Sequence, residues 1–247
     1  MSSVFHHKIP FPAFSANHAA ENLTENQPEN TANDSRDIAI LILAAGNSAR
    51  LGTPKQLVDF NGKPLICHLI EQALFVKTKA VFVVLGGNQE LISPKISHLP
   101  VHTVRNEYWQ NGMGQSIQTG VRAILKKHPK IAGILMLVAD QPFVSADLIY
   151  QLIQTQQATG AKIVASTYAG NQGVPAIFDH TLFGQLLALD GQTGAKKIIQ
   201  QDAENTPTVS FPEGIFDIDT PADLQRIEEW HQIIAAKNKA PKENWED

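Results

Sequence analysis

The chain has 247 residues, 43% of them hydrophobic, and a formal net charge of −4 at pH 7, so it holds enough apolar material for one sizeable core. That charge balance argues against a general nucleic-acid binder, which presents a basic face. One cysteine, Cys67, rules out an intramolecular disulfide and a cysteine metal cluster. With no long apolar run and no basic-then-apolar leader, a cytoplasmic protein with no membrane partner is expected.

Residues 1–36 are rich in Asn, Glu, Ala, Thr and Ser. Such a composition cannot offset the entropy of ordering, so a flexible tail is expected there, with His6 and His7 solvated. A second flexible tail is expected over 236–247, which leaves one domain over 37–235. That domain opens with the continuous apolar run 38–43, the pattern of a strand covered on both faces of a parallel sheet. A glycine-bearing loop follows, then a helix over 64–77 with Pro64 suited to its first turn. Cys67 falls at a buried position of that helix. Strand Ala80–Leu85 ends in Gly86-Gly87, and a short strand covers 101–104. A helix is predicted over 115–127, and 131–138 is the most hydrophobic strand of all. Ser145 caps a helix reaching about 158, and strands resume over 162–167 and 174–178. Helical segments near 180–189 and 194–201 precede two edge-like strands, 208–211 and 215–218. Thr220 and Pro221 then open a last helix to about 234, as N-cap and first helical residue.

Alternating strands and helices imply right-handed crossovers and a largely parallel sheet, that is, an α/β Rossmann-like three-layer α/β/α fold. Ligands of such sheets bind beyond the carboxyl ends of the strands. The polar and glycine-rich segments do follow Leu43, Leu85, Val104, Val138 and Ile218.

Five segments carry candidate chemistry. In the loop over 43–56, Ala44, Ala45 and Gly46 let backbone approach a ligand, Gly52 permits a tight bend, and Arg50 and Lys55 bring two permanent cations. Backbone N–H groups, a guanidinium fork and a mobile ammonium suit a polyphosphate. The loop is neither a Walker loop nor GxGxxG, and an ordinary turn with surface cations fits its spacing equally well. Asp140 follows the apolar strand at 131–138 directly, where a hard divalent cation is held, although a turn or capping residue has the same look. Asp217 and Asp219 share one face of a regular strand, and Asp219 is the preferred ligand, with Asp217 positioning water or an acceptor group. The alternative is that Asp219 and Thr220 end a strand and cap the last helix. Gly112, Gly114 and Ser116 sit at a helix start that offers donors to an anion, ribose or base edge, while Tyr108 and Trp109 serve as stacking platforms or loop anchors. Lys196 and Lys197, beside Gly194, fit an acceptor phosphate or a solvated helix face.

Together these segments resemble the molybdenum cofactor cytidylyltransferase family, within the wider group of Rossmann-like nucleotidyltransferases. The matching residues are Leu43-Ala44-Ala45-Gly46 with Ser48, Arg50, Gly52 and Lys55, then Gly112-Met113-Gly114 with Ser116. Asp140-Gln141-Pro142, Gly173, Pro175, Gly194-Ala195 and Asp217-Ile218-Asp219-Thr220-Pro221 with Asp223 continue the set in order from 38 to about 226. Guanylyltransferases for the same cofactor look like LeuAlaGlyGly at the first loop, and isoprenoid-pathway cytidylyltransferases carry AspAlaAlaArgPro where this chain has AspGlnPro. The resemblance implies CMP transfer from CTP to a molybdopterin-type molybdenum cofactor, with Mg2+ as cofactor and pyrophosphate as product. Arg50, Lys55 and Asp140 would be catalytic. Leu43, Ala44, Ala45, Gly46, Ser48, Gly86, Gly112, Gly114 and Ser116 would line the nucleotide, and Asp140 and Asp219 would share the metal. The partners implied are CTP, molybdenum-loaded molybdopterin and a molybdoenzyme client, with no nucleic acid. Two other readings use the same residues: a nucleotidyltransferase for a sugar or polyol phosphate, and a non-catalytic carrier that inserts the molybdenum cofactor.

Overall fold

A computed structural model describes residues 37–47, 51–220, 222–227 and 229–230. The expectations for both tails, and those for Ser48, Arg50 and Pro221, lie outside these residues. In chain order the strands are β1 (Ile38–Ala44), β2 (Asp59–Phe60), β3 (Lys63–Pro64), β4 (Ala80–Leu85), β5 (His102–Arg105), β6 (Gly133–Val138), β7 (Ile163–Tyr168), β8 (Asn171–Asp179) and β9 (Thr208–Ser210). The helices include α1 (Leu65–Phe75), α2 (Gln89–Ile96), α3 (Met113–Lys127), α4 (Ala146–Thr159), α5 (Phe183–Leu187) and α6 (Lys196–Gln201), and residues 222–227 are helical as well.

Seven strands form one sheet in the order β5-β4-β1-β6-β8-β7-β9, and β2 and β3 make a separate antiparallel pair. β1 lies between β4 and β6, parallel to both, with Leu43 in register with Val84 and Val138. Every residue of β1 is buried. Its period of two divides it between two cores. Ile38, Ile40 and Ile42 join α1, α2 and α4 on one face. Ala39, Leu41 and Leu43 join α3, α5 and α6 on the other. The result is the expected three-layer α/β/α fold with a mostly parallel sheet. On the second face a Cβ at Gly120 would strike Leu41, so the missing side chain sets how closely α3 approaches β1. Among the described residues no helix is long and apolar enough to cross a membrane.

Several boundaries follow their physical signals. Ser145 caps α4, its Oγ accepting from Leu148 N at 3.2 Å, and Gly160 ends the helix in the left-handed region at φ 63°. Cys67 is buried, and burial pushes its thiol pKa up.

The differences are equally physical. β8 runs antiparallel to β6 and to β7, because Ala169 and Gly170, both at positive φ, turn the chain straight back as a hairpin. The strand is therefore nine residues long rather than the short 174–178 segment expected. α3 begins at Met113, two residues early, where Gly112 at φ 105° brings the chain in. Pro64 precedes α1 as an extended residue of β3 with ψ 137°, so it is not in the first turn. The strand expected over 215–218 is absent: Pro212–Ile215 is a 3-10 turn, and β9 already closes that edge.

Candidate functional site

Because β1 and β6 are neighbours in register, the loop leaving β1 and the loop leaving β6 emerge side by side at the carboxyl edge of the sheet. Lys55 opens the 3-10 turn Lys55–Leu57 at the end of the first loop. Asp140 lies two residues beyond β6. Lys55 Nζ donates to Asp140 Oδ2 at 2.6 Å and to Asp219 Oδ1 at 3.0 Å, with Lys55 only 15% exposed. Three side chains from distant parts of the sequence thus converge on one point. Burial alone would lower the Lys55 pKa, but the two carboxylates outweigh it and hold the ammonium above its usual value.

The segment bearing Asp219 is carried in by a small satellite core. Phe216 and Ile218 are buried with Phe60, Leu65 and Ile227, and Phe143 packs edge-on against Phe216 at 5.5 Å. Ile218 N donates to Asp140 O at 3.0 Å, which stitches the segment to the loop after β6. Although no strand forms here, Asp217 and Asp219 alternate with buried Phe216 and Ile218 and remain exposed. The shared face expected for the two carboxylates therefore survives without sheet pairing. Asp223 finishes the local frame: its Oδ2 accepts from Asp219 N at 3.1 Å, Thr220 N at 2.7 Å and Thr220 Oγ1 at 2.8 Å. Burial works against the charged form of Asp223, yet these hydrogen bonds keep its pKa below the ordinary range. Desolvation, then the negative charge of Asp140, push Asp217 up to about 6.

The donor set suits a hard cation. Asp140 Oδ1 is buried and has no hydrogen-bond partner among the described residues, while Asp219 is 47% exposed at its side chain. No group of three metal-ligating side chains occurs among the described residues. Asp140 and Asp219 thus offer carboxylate oxygens of the kind a hard divalent cation takes.

The first loop offers backbone rather than side chains. Leu43, Ala44 and Ala45 are buried, whereas Gly46 is exposed, and among the described residues nothing stands where its Cβ would be. Gln56, 1% exposed, donates from Nε2 to Ala44 O at 3.0 Å and Gly46 O at 3.2 Å. At Gly86 a Cβ would collide with Ala45 O and with the Trp109 ring, and at Gly87 it would meet the same ring. Gly86 and Gly87 are thus sites of close approach between three loops, and Trp109 anchors them.

The helix start at Gly112–Ser116 also holds neighbouring loops. A Cβ at Gly112 would strike Gly191 O, and one at Gly114 would strike Asp190 O. Gly114 N donates to Gly191 O at 2.9 Å, and Gln118 Nε2 to Leu189 O at 2.6 Å. Ser116 is buried, its Oγ accepting from Asn106 Nδ2 at 3.0 Å. Gly112, Gly114 and Gln118 thus clasp the 189–193 loop against α3, while Ser116 ties the helix start to the loop after β5. Lys196 and Lys197 are exposed at the start of α6, just past that loop. The sequence alone gives no role to Gln56, and it marks 190–198 for glycines and lysines that could meet an acceptor rather than for contact with α3. Asp223 enters the resemblance without a function, though Thr220 and Asp223 stand at the spacing of a capping box.

A mostly parallel sheet whose carboxyl edge gathers a lysine, two carboxylates and a glycine loop has the layout of the Rossmann-like nucleotidyltransferase fold. The chain belongs to the MobA-like NTP transferase domain family, whose model matches residues 40–206. It is 30% identical over 169 residues to the bifunctional protein GlmU of Legionella pneumophila, covering 67% of this chain but only 32% of that one. It is 25% identical over 203 residues to nicotine blue oxidoreductase of Paenarthrobacter nicotinovorans, covering 78% of this chain and 95% of that protein. Among solved structures, Rv0371c of Mycobacterium tuberculosis superposes with a TM-score of 0.68 at 26% identity, over 79% of this chain and all of that one. The same protein has been solved as a complex with manganese.

Proposed function

We propose that the chain is a magnesium-dependent nucleotidyltransferase that moves CMP from CTP to a phosphorylated acceptor, molybdenum-loaded molybdopterin, and releases pyrophosphate. The observation that carries the reading is Lys55 held between Asp140 and Asp219 at the carboxyl edge of the sheet. A lone surface lysine would not be buried between two carboxylates drawn from separate segments. The same three groups answer the needs of a nucleoside triphosphate and its cation: an ammonium for phosphate oxygens, carboxylates for the metal. The manganese complex of Rv0371c supports a divalent ion in this fold.

In this reading an acceptor phosphate oxygen attacks the α-phosphorus in line. The new P–O bond forms as the bond to the bridging α,β-oxygen breaks, and the electron pair leaves on pyrophosphate. The attacking oxygen is already anionic, so alignment and charge neutralisation carry the rate. Asp140 and Asp219 would hold Mg2+, which would supply neutralisation of the triphosphate charge. Lys55 turns from the carboxylates to the departing phosphates, and Arg50 joins it from the same loop. Asp223 keeps Asp219 in place through its backbone N–H.

Family membership leaves the reaction to be decided by the site, since one fold hosts several chemistries and a relative of this chain is named for a redox activity. The test is pyrophosphate release by the purified full chain with Mg2+, beside nucleotide binding by calorimetry, offering CTP, GTP, UTP or ATP, each with molybdenum-loaded molybdopterin, with a sugar or polyol phosphate, and with no acceptor. Release from CTP only when the cofactor is present is the expected result. Release with a sugar or polyol phosphate instead would replace the acceptor, and nucleotide binding with no release from any pair would contradict the enzymatic reading.

A further inference from the structure

We propose that Gln56 is a positioning residue that orients the backbone of the first loop toward the triphosphate, an inference that rests on the nucleotide site proposed above. Gln56 stands next to Lys55 but bonds to other groups, and it is buried at 1% exposure. Its amide Nε2 reaches two carbonyl oxygens of the same loop, Ala44 O at 3.0 Å and Gly46 O at 3.2 Å. The two carbonyls are acceptors only, so this assignment of Nε2 and Oε1 is the one that satisfies them. Oε1 is then buried with no partner among the described residues. A side chain retained for packing alone would be apolar, since burying an unpartnered amide oxygen is unfavourable. The two hydrogen bonds on the other side are what the glutamine contributes.

Their effect on the loop follows from the planar trans peptide, in which C=O and the next N–H point in opposite directions. The only cis bond among the described residues is Val174–Pro175. Drawing Ala44 O and Gly46 O to Gln56 therefore turns the N–H groups of Ala45 and Asn47 away from it. The intervening carbonyl, Ala45 O, lies where a side chain at residue 86 would be, so glycine there leaves room for that peptide as well. Gln56 and Gly86 together fix three successive peptide planes. Two carbonyl dipoles that would repel a polyphosphate are tied back, and Gly46, exposed at the centre, has no side chain to obstruct approach.

The experiment titrates the full chain with CTP, GTP, UTP and ATP in Mg2+, and then with the monophosphate of the best binder, for wild type and Gln56→Met. Methionine keeps the length and removes both the donor and the unpartnered oxygen. The expected result is an apo melting temperature equal to or above wild type, triphosphate affinity weaker by about tenfold, the scale of lost positioned hydrogen bonds, and unchanged monophosphate affinity. Equal loss for both nucleotides, or no loss, would overturn the role of Gln56 while leaving the nucleotide site intact. Failure of the wild type to bind any triphosphate would overturn the site itself, and this inference with it. Should Gln56→Met not fold, amide spectra of the wild type serve instead: the Ala45 and Asn47 N–H resonances must move with triphosphate and stay still with monophosphate. Any other pattern contradicts the proposal.

Discussion

Two regions at the carboxyl edge of the sheet are built from similar sequence signals and do opposite things with their polar groups. Around Lys55, charged side chains from three segments meet, and Asp140 Oδ1 is left without a partner among the described residues. Around Gly112 and Gly114, polar groups are engaged within the protein: Gly114 N donates to Gly191 O, and the Ser116 hydroxyl accepts from Asn106 Nδ2. A glycine in a loop signals close approach, but not what approaches. At Gly46 no described residue occupies that space, whereas at Gly114 another loop fills it. Only the three-dimensional partner separates a binding loop from a clasp.

If that contrast is right, substitutions at the two regions differ in kind. Lys55→Ala and Asp140→Ala should each lower turnover at least about a hundredfold, the scale of one preorganised electrostatic partner, with little change in apo stability beyond the lost ion pair. Steady-state kinetics beside a melting curve separates the two effects. Near-normal turnover in either variant would remove that residue from the mechanism.

Gly114→Ala should act the other way round. A Cβ there must displace the Asp190 carbonyl, so stability should fall by about 1–3 kcal/mol, as for an overpacked core position, measured by denaturant unfolding. Turnover per folded molecule should fall less than for Lys55→Ala. A smaller effect is expected at Asp223. Its replacement by Ala removes three hydrogen bonds at a helix start, about 1 kcal/mol for the cap, and should raise the Mg2+ concentration needed for half-maximal rate. A stability loss with an unchanged Mg2+ requirement would make Asp223 a cap and nothing more.

The smallest effect concerns pH. Partial desolvation and the charge of Asp140 raise Asp217, which keeps some exposure, from its ordinary 3.8 to about 6. The folded state thus holds this proton more tightly than the unfolded chain does. The associated stability is full below about 3.8 and is lost as pH rises through about 6. Asp217→Asn, which never ionises, should therefore melt higher than wild type at pH 7.5, and the gap should close near pH 4. A gap of constant size across that range would assign the effect to something other than the Asp217 charge.

Much of this was readable in the chain itself. The apolar runs placed β4 at the residues observed and β1 and β6 within two residues, because strands buried on both faces need continuous hydrophobicity. The order of those strands put Lys55 and Asp140 on one edge, and the alternation of Phe216, Asp217, Ile218 and Asp219 told which side chains would face out. What failed was pairing. The same alternation was read as a strand, but period two reports only an extended chain with one buried side, and Phe216 and Ile218 bury against Phe60 and Leu65 rather than joining the sheet. The direction of β8 was illegible for a related reason, since apolar content is the same for parallel and antiparallel neighbours. Gln56 escaped notice because a single buried amide has no periodic signature; its role lies in two carbonyls ten and twelve residues earlier.

The central claim is that Asp140 and Asp219, with Lys55 between them, form the site of a nucleoside triphosphate and its divalent cation. Calorimetric titration of wild type, Asp140→Asn and Asp219→Asn with CTP, in Mg2+ and again in excess chelator, tests it most directly. The account predicts binding by wild type that weakens sharply when the cation is removed, and a cation effect that is diminished in both variants. Binding equally tight with and without Mg2+, or a cation effect intact in both variants, would contradict it.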